Sequence, residues 1–221
     1  KYNRVDAVCP QCNKKAVEVS SIIMNKTRWC RLECGHLVKY ERIESQGINF
    51  KTFQNINKSK TLFGYQAEGA EFLENNGGKG LIADEPGLGK TVQPMVFCYA
   101  HPETLPVLWV CKTTLKLQAV KEALEWLGPA YMAQIIEKPR SFIIPGMKFY
   151  VISMDLLRNM PSEKLESIGY KTIIADEIQH FKNPDSTRTA ELRKLVSSAE
   201  HFIALSGTPW KNRGQEYFPV L

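Results

Sequence analysis

Residues 81 to 91, LIADEPGLGKT, place a glycine-rich turn ending in Lys-Thr directly after a short apolar run. A strand delivers a phosphate-binding loop to the start of a helix in this way, because the loop's backbone N–H groups and the positive end of the helix then point at the same anion. In such a loop Lys90 reaches the β- and γ-phosphates and the Thr91 hydroxyl sits on Mg²⁺. The usual spelling is G-x-x-x-x-G-K-S/T, and Asp84 stands at its first glycine, so an ordinary glycine turn before a helix is the competing reading.

A second segment favours the phosphate loop. KTIIADE, residues 171 to 177, is another apolar run, and it ends in Asp176 and Glu177. A phosphate site needs one acid to hold Mg²⁺ and another to orient or deprotonate the attacking water, and neighbouring strand ends of a doubly wound sheet bring such groups together. Without the upstream loop, two solvated acids in a turn would serve as well. HFIALSGTPWKN (201 to 212) is a third apolar run ending in Ser-Gly-Thr-Pro, and LFGYQAEGAEFL (62 to 73) sets Gln66 24 positions before Lys90.

Taken in order, LFGYQAEGAEFL, DEPGLGKT, DEIQHFKN and LSGTPWKN resemble the motifs of superfamily-2 helicase-like ATPases of the Swi/Snf group of DNA translocases, whose strings read approximately DEMGLGKT, DEAHxxKN and LSGTPxxN. Asp84 is shared with that spelling. The resemblance covers residues 61 to 221 and implies a RecA-like P-loop NTPase lobe that binds ATP and Mg²⁺ and acts on duplex DNA. It further implies that Gln66 contacts the adenine, that the run Gly87, Leu88, Gly89, Lys90 and Thr91 holds the nucleotide, and that Lys90, Asp176 and Glu177 are catalytic, with Thr91 and Asp176 serving Mg²⁺. Ser206 and Thr208 would couple the nucleotide site to the nucleic-acid path. Thr113 and Thr114, in VLWVCKTTLKLQAVKEAL, would meet the DNA backbone, although a helix N-cap is an equal reading. Ser153, in KFYVISMDLL, is a looser match to another DNA-side motif. Two departures stand out: Pro86 replaces the usual Met and should stiffen the loop, and Gln179 replaces the final His of Asp-Glu-Ala-His, a departure that bears on coupling more than on binding. A strand-separating helicase and a non-catalytic nucleotide- and DNA-binding module are the alternatives.

In this family ATP lies between two lobes, and the second supplies an arginine worth about 10³–10⁵ in rate. Leu221 follows the third motif by a few residues, so the chain reads as half an ATPase with little activity alone, its C-terminal lobe expected on the same longer polypeptide.

The first 60 residues carry a different signal. CPQC (9 to 12) and WCRLECGH (29 to 36) gather five residues with soft or borderline ligand atoms in two clusters. A tetrahedral Zn²⁺ site takes a C-x-x-C knuckle and a second pair further along the chain. Cys9, Cys12, Cys34 and His36 are the expected ligands, with Cys30 the rival for His36. Free cysteines in a reduced domain are the bland reading, and a disulfide framework suits an intracellular type of ATPase poorly. Flanking runs at 17–24 and 36–43 are strand-like. Residues 1 to 60 hold 12 Lys and Arg against 5 Asp and Glu, whereas 61 to 221 hold 17 against 18, so the whole basic excess lies in the small module. Lys14, Lys15, Lys26, Arg28 and Arg31 with Trp29 suit nucleic acid, or else are solvated lysines around a structural metal.

The expected organisation is a zinc module at 1–44, a linker or edge extension at 45–60, and the ATP-binding lobe at 61–221. Apolar runs at 80–84, 107–111, 132–136, 148–152, 172–176 and 201–205 alternate with helical patterns near 65–75, 89–100, 114–127 and 186–198. Such alternation predicts an α/β lobe, a mostly parallel sheet with helices on both faces. No apolar stretch reaches a membrane span, and the chain is expected to be intracellular.

Overall fold

The computed structural model describes residues 12, 18–24, 27–32, 34, 36–40 and 48–207. The chain divides into two units, Lys1–Gly47 and Ile48–Leu221.

In the first unit three strands form an antiparallel sheet in the order β1-β2-β3: β1 (Glu18–Met24), β2 (Thr27–Leu32) and β3 (Leu37–Tyr40). β1 and β3 fall within the runs that the sequence marks as strand-like. β2 does not stand out there, because its residues read first as part of a cysteine cluster. Cys30 takes its place in mid-strand, in register with Ser21 and Val38.

The second unit is built on six parallel strands in the order β4-β9-β8-β5-β7-β6. They are β4 (Lys79–Ile82), β5 (Val107–Cys111), β6 (Ala133–Ile136), β7 (Phe149–Ser153), β8 (Thr172–Ala175) and β9 (His201–Leu205). Every residue of β5, β7 and β8 is buried, as expected for strands covered on both faces. Alternate residues serve opposite layers. Val107, Trp109 and Cys111 pack against α1 (Gly64–Asn75), α2 (Val92–Ala100) and α3 (Lys116–Leu127), whereas Leu108 and Val110 pack with α4 (Met154–Leu157), α5 (Ser162–Glu166) and α6 (Thr187–Ser198). The short helices α4 and α5 lack the length over which a helical period shows in sequence. Cys98 and Cys111 lie in these layers with their thiols pushed up to about 12 by burial, which suits small buried hydrophobes.

Of the two readings of 45–60, a linker or an edge extension, the packing from Ile48 onward suits the second. Phe50, Phe53 and Leu62 are buried in the α1–α3 layer, and Phe53 meets Tyr99 edge-on at 5.3 Å. A tight turn follows, in which the Asn55 side chain accepts from the Ser59 and Lys60 amides at 2.8 and 3.0 Å. The Ile56 N–H donates to the Trp126 carbonyl at 3.1 Å. Two phenylalanines in an otherwise polar stretch are enough to dock it. Among the described residues no helix is long and apolar enough to cross a membrane.

Candidate nucleotide site and adjoining groove

All six strands run the same way, so the segments following them gather at one edge of the sheet. After β4 comes the loop 83–91. Gly87 and Gly89 adopt φ of 88° and 67°, the left-handed region that favours glycine. At Gly89 a Cβ would also come within 2.7 Å of Gln66 Nε2, so a side chain there would push the Gln66 amide aside. The Leu88 carbonyl accepts from the Tyr65 hydroxyl at 3.2 Å and from Gln66 Nε2 at 3.0 Å, while Gln66 Oε1 accepts from the Phe63 amide at 3.1 Å. Gln66 is 5% exposed, so this structure engages its amide as a strut between α1 and the loop. The surface beside it is aromatic: Phe63 is 64% exposed and Tyr65 37%, their rings stacked at 5.7 Å and 9°. The resemblance points only to the glutamine. Exposure and stacking become visible only once α1 is placed.

Lys90 Nζ donates to the Glu85 carbonyl at 2.9 Å. A Cβ on Gly207 would lie 3.4 Å from that ammonium and 3.0 Å from Pro86, so the end of β9 closes over the loop. Thr91 is the N-cap residue of α2, yet its side chain makes no capping bond. Asp84 accepts from Nε2 of the fully buried Gln93.

Asp176 and Glu177 follow β8 at the same edge. Burial and the neighbouring Glu177 push the Asp176 carboxyl up to about 6, against the opposing pull of the Glu177 amide and Lys90. That is a carboxylate short of positive charge, and its oxygens are donors of the hard type that Mg²⁺ takes. Glu177 has φ 53° and ψ 52°, a left-handed conformation uncommon for a residue with a side chain. Its amide donates to Asp176 Oδ1 at 2.9 Å, and its carboxylate accepts from Gln179 Nε2. Gln179 Oε1 in turn accepts from the Ser206 hydroxyl at 2.8 Å. Gln179 therefore bridges the Glu177 carboxylate and the end of β9, because an amide offers a donor and an acceptor at once.

Gln179 also lines a depression with Arg158, His180, Lys182 and Arg188. Through His180 and Arg188 this adjoins a second depression lined by Lys112, Thr113, Thr114 and Asp155. Four permanent cations against Asp155 and Asp185 give the pair a basic cast. Thr113 and Thr114 are exposed in a 3-10 turn ahead of α3, and neither caps the helix, whose N-cap is Leu115. Ser153 differs from its expected role: it is 5% exposed, and its hydroxyl caps α4 by accepting from the Leu156 amide at 3.2 Å. Ser206 is fully buried and faces Gln179, so it belongs to the interior link and not to a nucleic-acid surface. Thr208 lies outside the described residues. Lys112, Arg158 and the pair Lys182 and Arg188 come from three separate stretches of the sequence, and the sheet edge assembles them.

In the first unit Cys12 Sγ, Cys34 Sγ and a His36 ring nitrogen all lie within 4.8 Å of one another, and Cys34 Sγ is 3.5 Å from His36 Nδ1. Tetrahedral Zn²⁺ with bonds of about 2.0–2.3 Å has ligand atoms roughly 3.3–3.8 Å apart, so these three suit it with small adjustment. Cys9 lies outside the described residues.

The profile of the SNF2-related domain matches residues 65–221. The chain belongs to this family. Mouse DNA annealing helicase and endonuclease ZRANB3 is 29% identical over 163 residues, which cover 71% of this chain and 15% of that protein. A Caenorhabditis elegans protein, the SWI/SNF-related matrix-associated actin-dependent regulator of chromatin subfamily A-like protein 1 homolog, is 31% identical over 160 residues, covering 71% and 23%. The SNF2-related chain thus spans between 15% and 23% of the length of these relatives. Among solved structures, the Sulfolobus solfataricus SWI2/SNF2 ATPase core in complex with dsDNA superposes with a TM-score of 0.65 at 22% identity, over 81% of this chain and 37% of that one. The UvsW helicase from Bacteriophage T4 gives 0.61 at 14%, over 77% and 61%. These two likenesses establish the RecA-like lobe of the SNF2-related fold.

Proposed function

We propose that this SNF2-related chain is the ATP-binding lobe of a DNA-stimulated ATPase that couples hydrolysis to movement on duplex DNA. The observation that carries the reading is Gln179, one side chain that lines the basic groove and is bonded to both Glu177 and Ser206. Whatever shifts Glu177 is felt at the groove wall, and the reverse holds by linkage. Lys90 and the loop amides hold the phosphates, Asp176 and Thr91 hold Mg²⁺, and Glu177 orients the attacking water and takes its proton. Mg²⁺, held there, would supply positive charge against the phosphates. Duplex backbone lies along Thr113, Thr114 and the groove cations, which offer phosphate contacts without base readout. A second lobe, on the same longer polypeptide, supplies the arginine.

The test is steady-state ATP hydrolysis with and without duplex DNA, with Lys90→Ala as blank. ATP binding without turnover, and turnover restored by a second lobe, is the expected result. Lys90→Ala with undiminished ATP affinity would reject the phosphate loop. An unwinding assay on forked duplex separates translocation, expected to leave strands paired, from strand separation.

The module before the lobe we read as a zinc ribbon held by Cys9, Cys12, Cys34 and His36, supported by the convergence of three of them. So small a unit buries little apolar surface and draws folding energy from its metal.

A further inference from the structure

The connection between β6 and β7, residues 137 to 148, holds an aromatic side chain out to solvent on a braced frame. Gln134 grips it twice, donating from Nε2 to the Phe142 carbonyl at 2.6 Å and accepting at Oε1 from the Ile144 amide at 2.9 Å. The Tyr150 hydroxyl donates to the Ile144 carbonyl at 2.7 Å, and Lys164 Nζ donates to the Pro139 carbonyl at 2.9 Å. A small turn is closed by the Lys138 amide on Ser141 Oγ at 3.0 Å. Ile143 and Met147 pack inward on the α4–α6 layer. In contrast Phe142 is 75% exposed, beside Ile144 at 43% and Met132 at 55%.

Single exposed apolar residues are ordinary and need no explanation. This one is unusual in standing on a braced backbone and being accompanied by charge. Lys138, Arg140 and Lys148 are all exposed in the same loop, against the single acid Glu137. The position matters as well. Ile136 ends β6 in register with Ile152, one residue short of Ser153, so the loop leaves the sheet edge that carries Thr113 and Thr114, with Lys138 and Arg140 in its first turn, and by Phe142 it has run back along the outer strand to Gln134, which pairs with Tyr150. Cations followed by an outward ring are the elements of a base-stacking platform, where phosphates meet the charges and an unpaired base meets the ring.

We propose that Phe142 stacks on an unpaired base of a DNA strand leaving the groove, with Lys138 and Arg140 holding the adjacent phosphates. The assignment rests on the nucleic-acid reading of the groove and adds to it a preference for DNA with a single-stranded segment. Duplex bases, stacked on one another, cannot use the ring.

The test measures fluorescence anisotropy of labelled oligo-dT and of a blunt duplex with the chain. Phe142→Ala should weaken oligo-dT by about 5- to 150-fold, the range of one lost base stack, and leave the duplex unchanged. Phe142→Trp should restore binding. Gln134→Ala, which keeps the ring but frees its frame, should weaken oligo-dT as well. Lys138→Ala with Arg140→Ala should flatten the salt dependence of oligo-dT binding by about 0.7 in log–log slope per cation. Oligo-dT affinity unaltered by Phe142→Ala, in a variant of unchanged melting temperature, would overturn the stacking role and leave the apolar strip to a protein partner. A chain that binds the duplex but not oligo-dT would overturn it too, with the groove reading intact. Binding to neither would overturn both.

Discussion

At the scale of single residues, the amide at 179 and the carboxyl at 176 carry the clearest consequences. Gln179 joins Glu177 to Ser206 without a titrating ring, so removing it should damage communication more than binding. Gln179→Ala is expected to lower the gain in ATP affinity produced by DNA by about 5- to 150-fold, the usual span of a coupling energy, measured by ATP titration with and without duplex. An unchanged gain would place coupling elsewhere. Asp176 has a folded pKa of about 6, raised from 3.8. The folded chain thus binds this proton more tightly than the unfolded one, and its stability falls as pH rises from about 4 to 6, the full penalty remaining above that range. In EDTA at pH 8, Asp176→Asn should stabilise the chain by on the order of 1–3 kcal/mol in urea unfolding, and the advantage should vanish as pH drops below about 4. The strand-end position of Asp176 was legible in the sequence, whereas the raised pKa required burial and the approach of Glu177.

At the scale of elements, α1 and the segment ahead of it act as a clamp on the phosphate loop. Phe50 and Phe53 seat the segment against the α1–α3 layer, and Gln66 and Tyr65 fasten α1 to the Leu88 carbonyl. Phe50 is 2% exposed, and Phe50→Ala should cost about 3–5 kcal/mol, read as a lower urea midpoint. A tethering linker would show no such loss. Gly89→Ala combines a φ of 67° with a 2.7 Å approach to Gln66, and should weaken ATP binding by displacing the loop from its clamp, measurable by titration calorimetry. The strands and long helices were legible because each repeats its period over enough residues. Docking of residues 48–62 was not, because their polar composition carries no period and two aromatic anchors decide the outcome.

At the scale of the whole molecule, the two units should respond to different challenges. Zinc chelation is expected to abolish the metal content and melt only the first unit, leaving the parallel sheet of Ile48–Leu221 with its thermal transition nearly unchanged. Cys12→Ser with Cys34→Ser should do the same, followed by metal analysis and calorimetry; undiminished zinc content in that variant would reject the ribbon. Motif order and strand periodicity determined, from sequence alone, the α/β class, the phosphate loop, the strand-end acids and the family, because each is a local pattern whose chemistry fixes its spacing. Only the tertiary structure decided that Ser153 is a cap, that Gln179 completes a bridge, that Phe63 and Phe142 face solvent, and that Lys112, Arg158, Lys182 and Arg188 share one groove. The reason is physical: those properties belong to neighbours brought together by parallel strand order across the sheet, and spacing along the chain holds no record of which strand ends will meet.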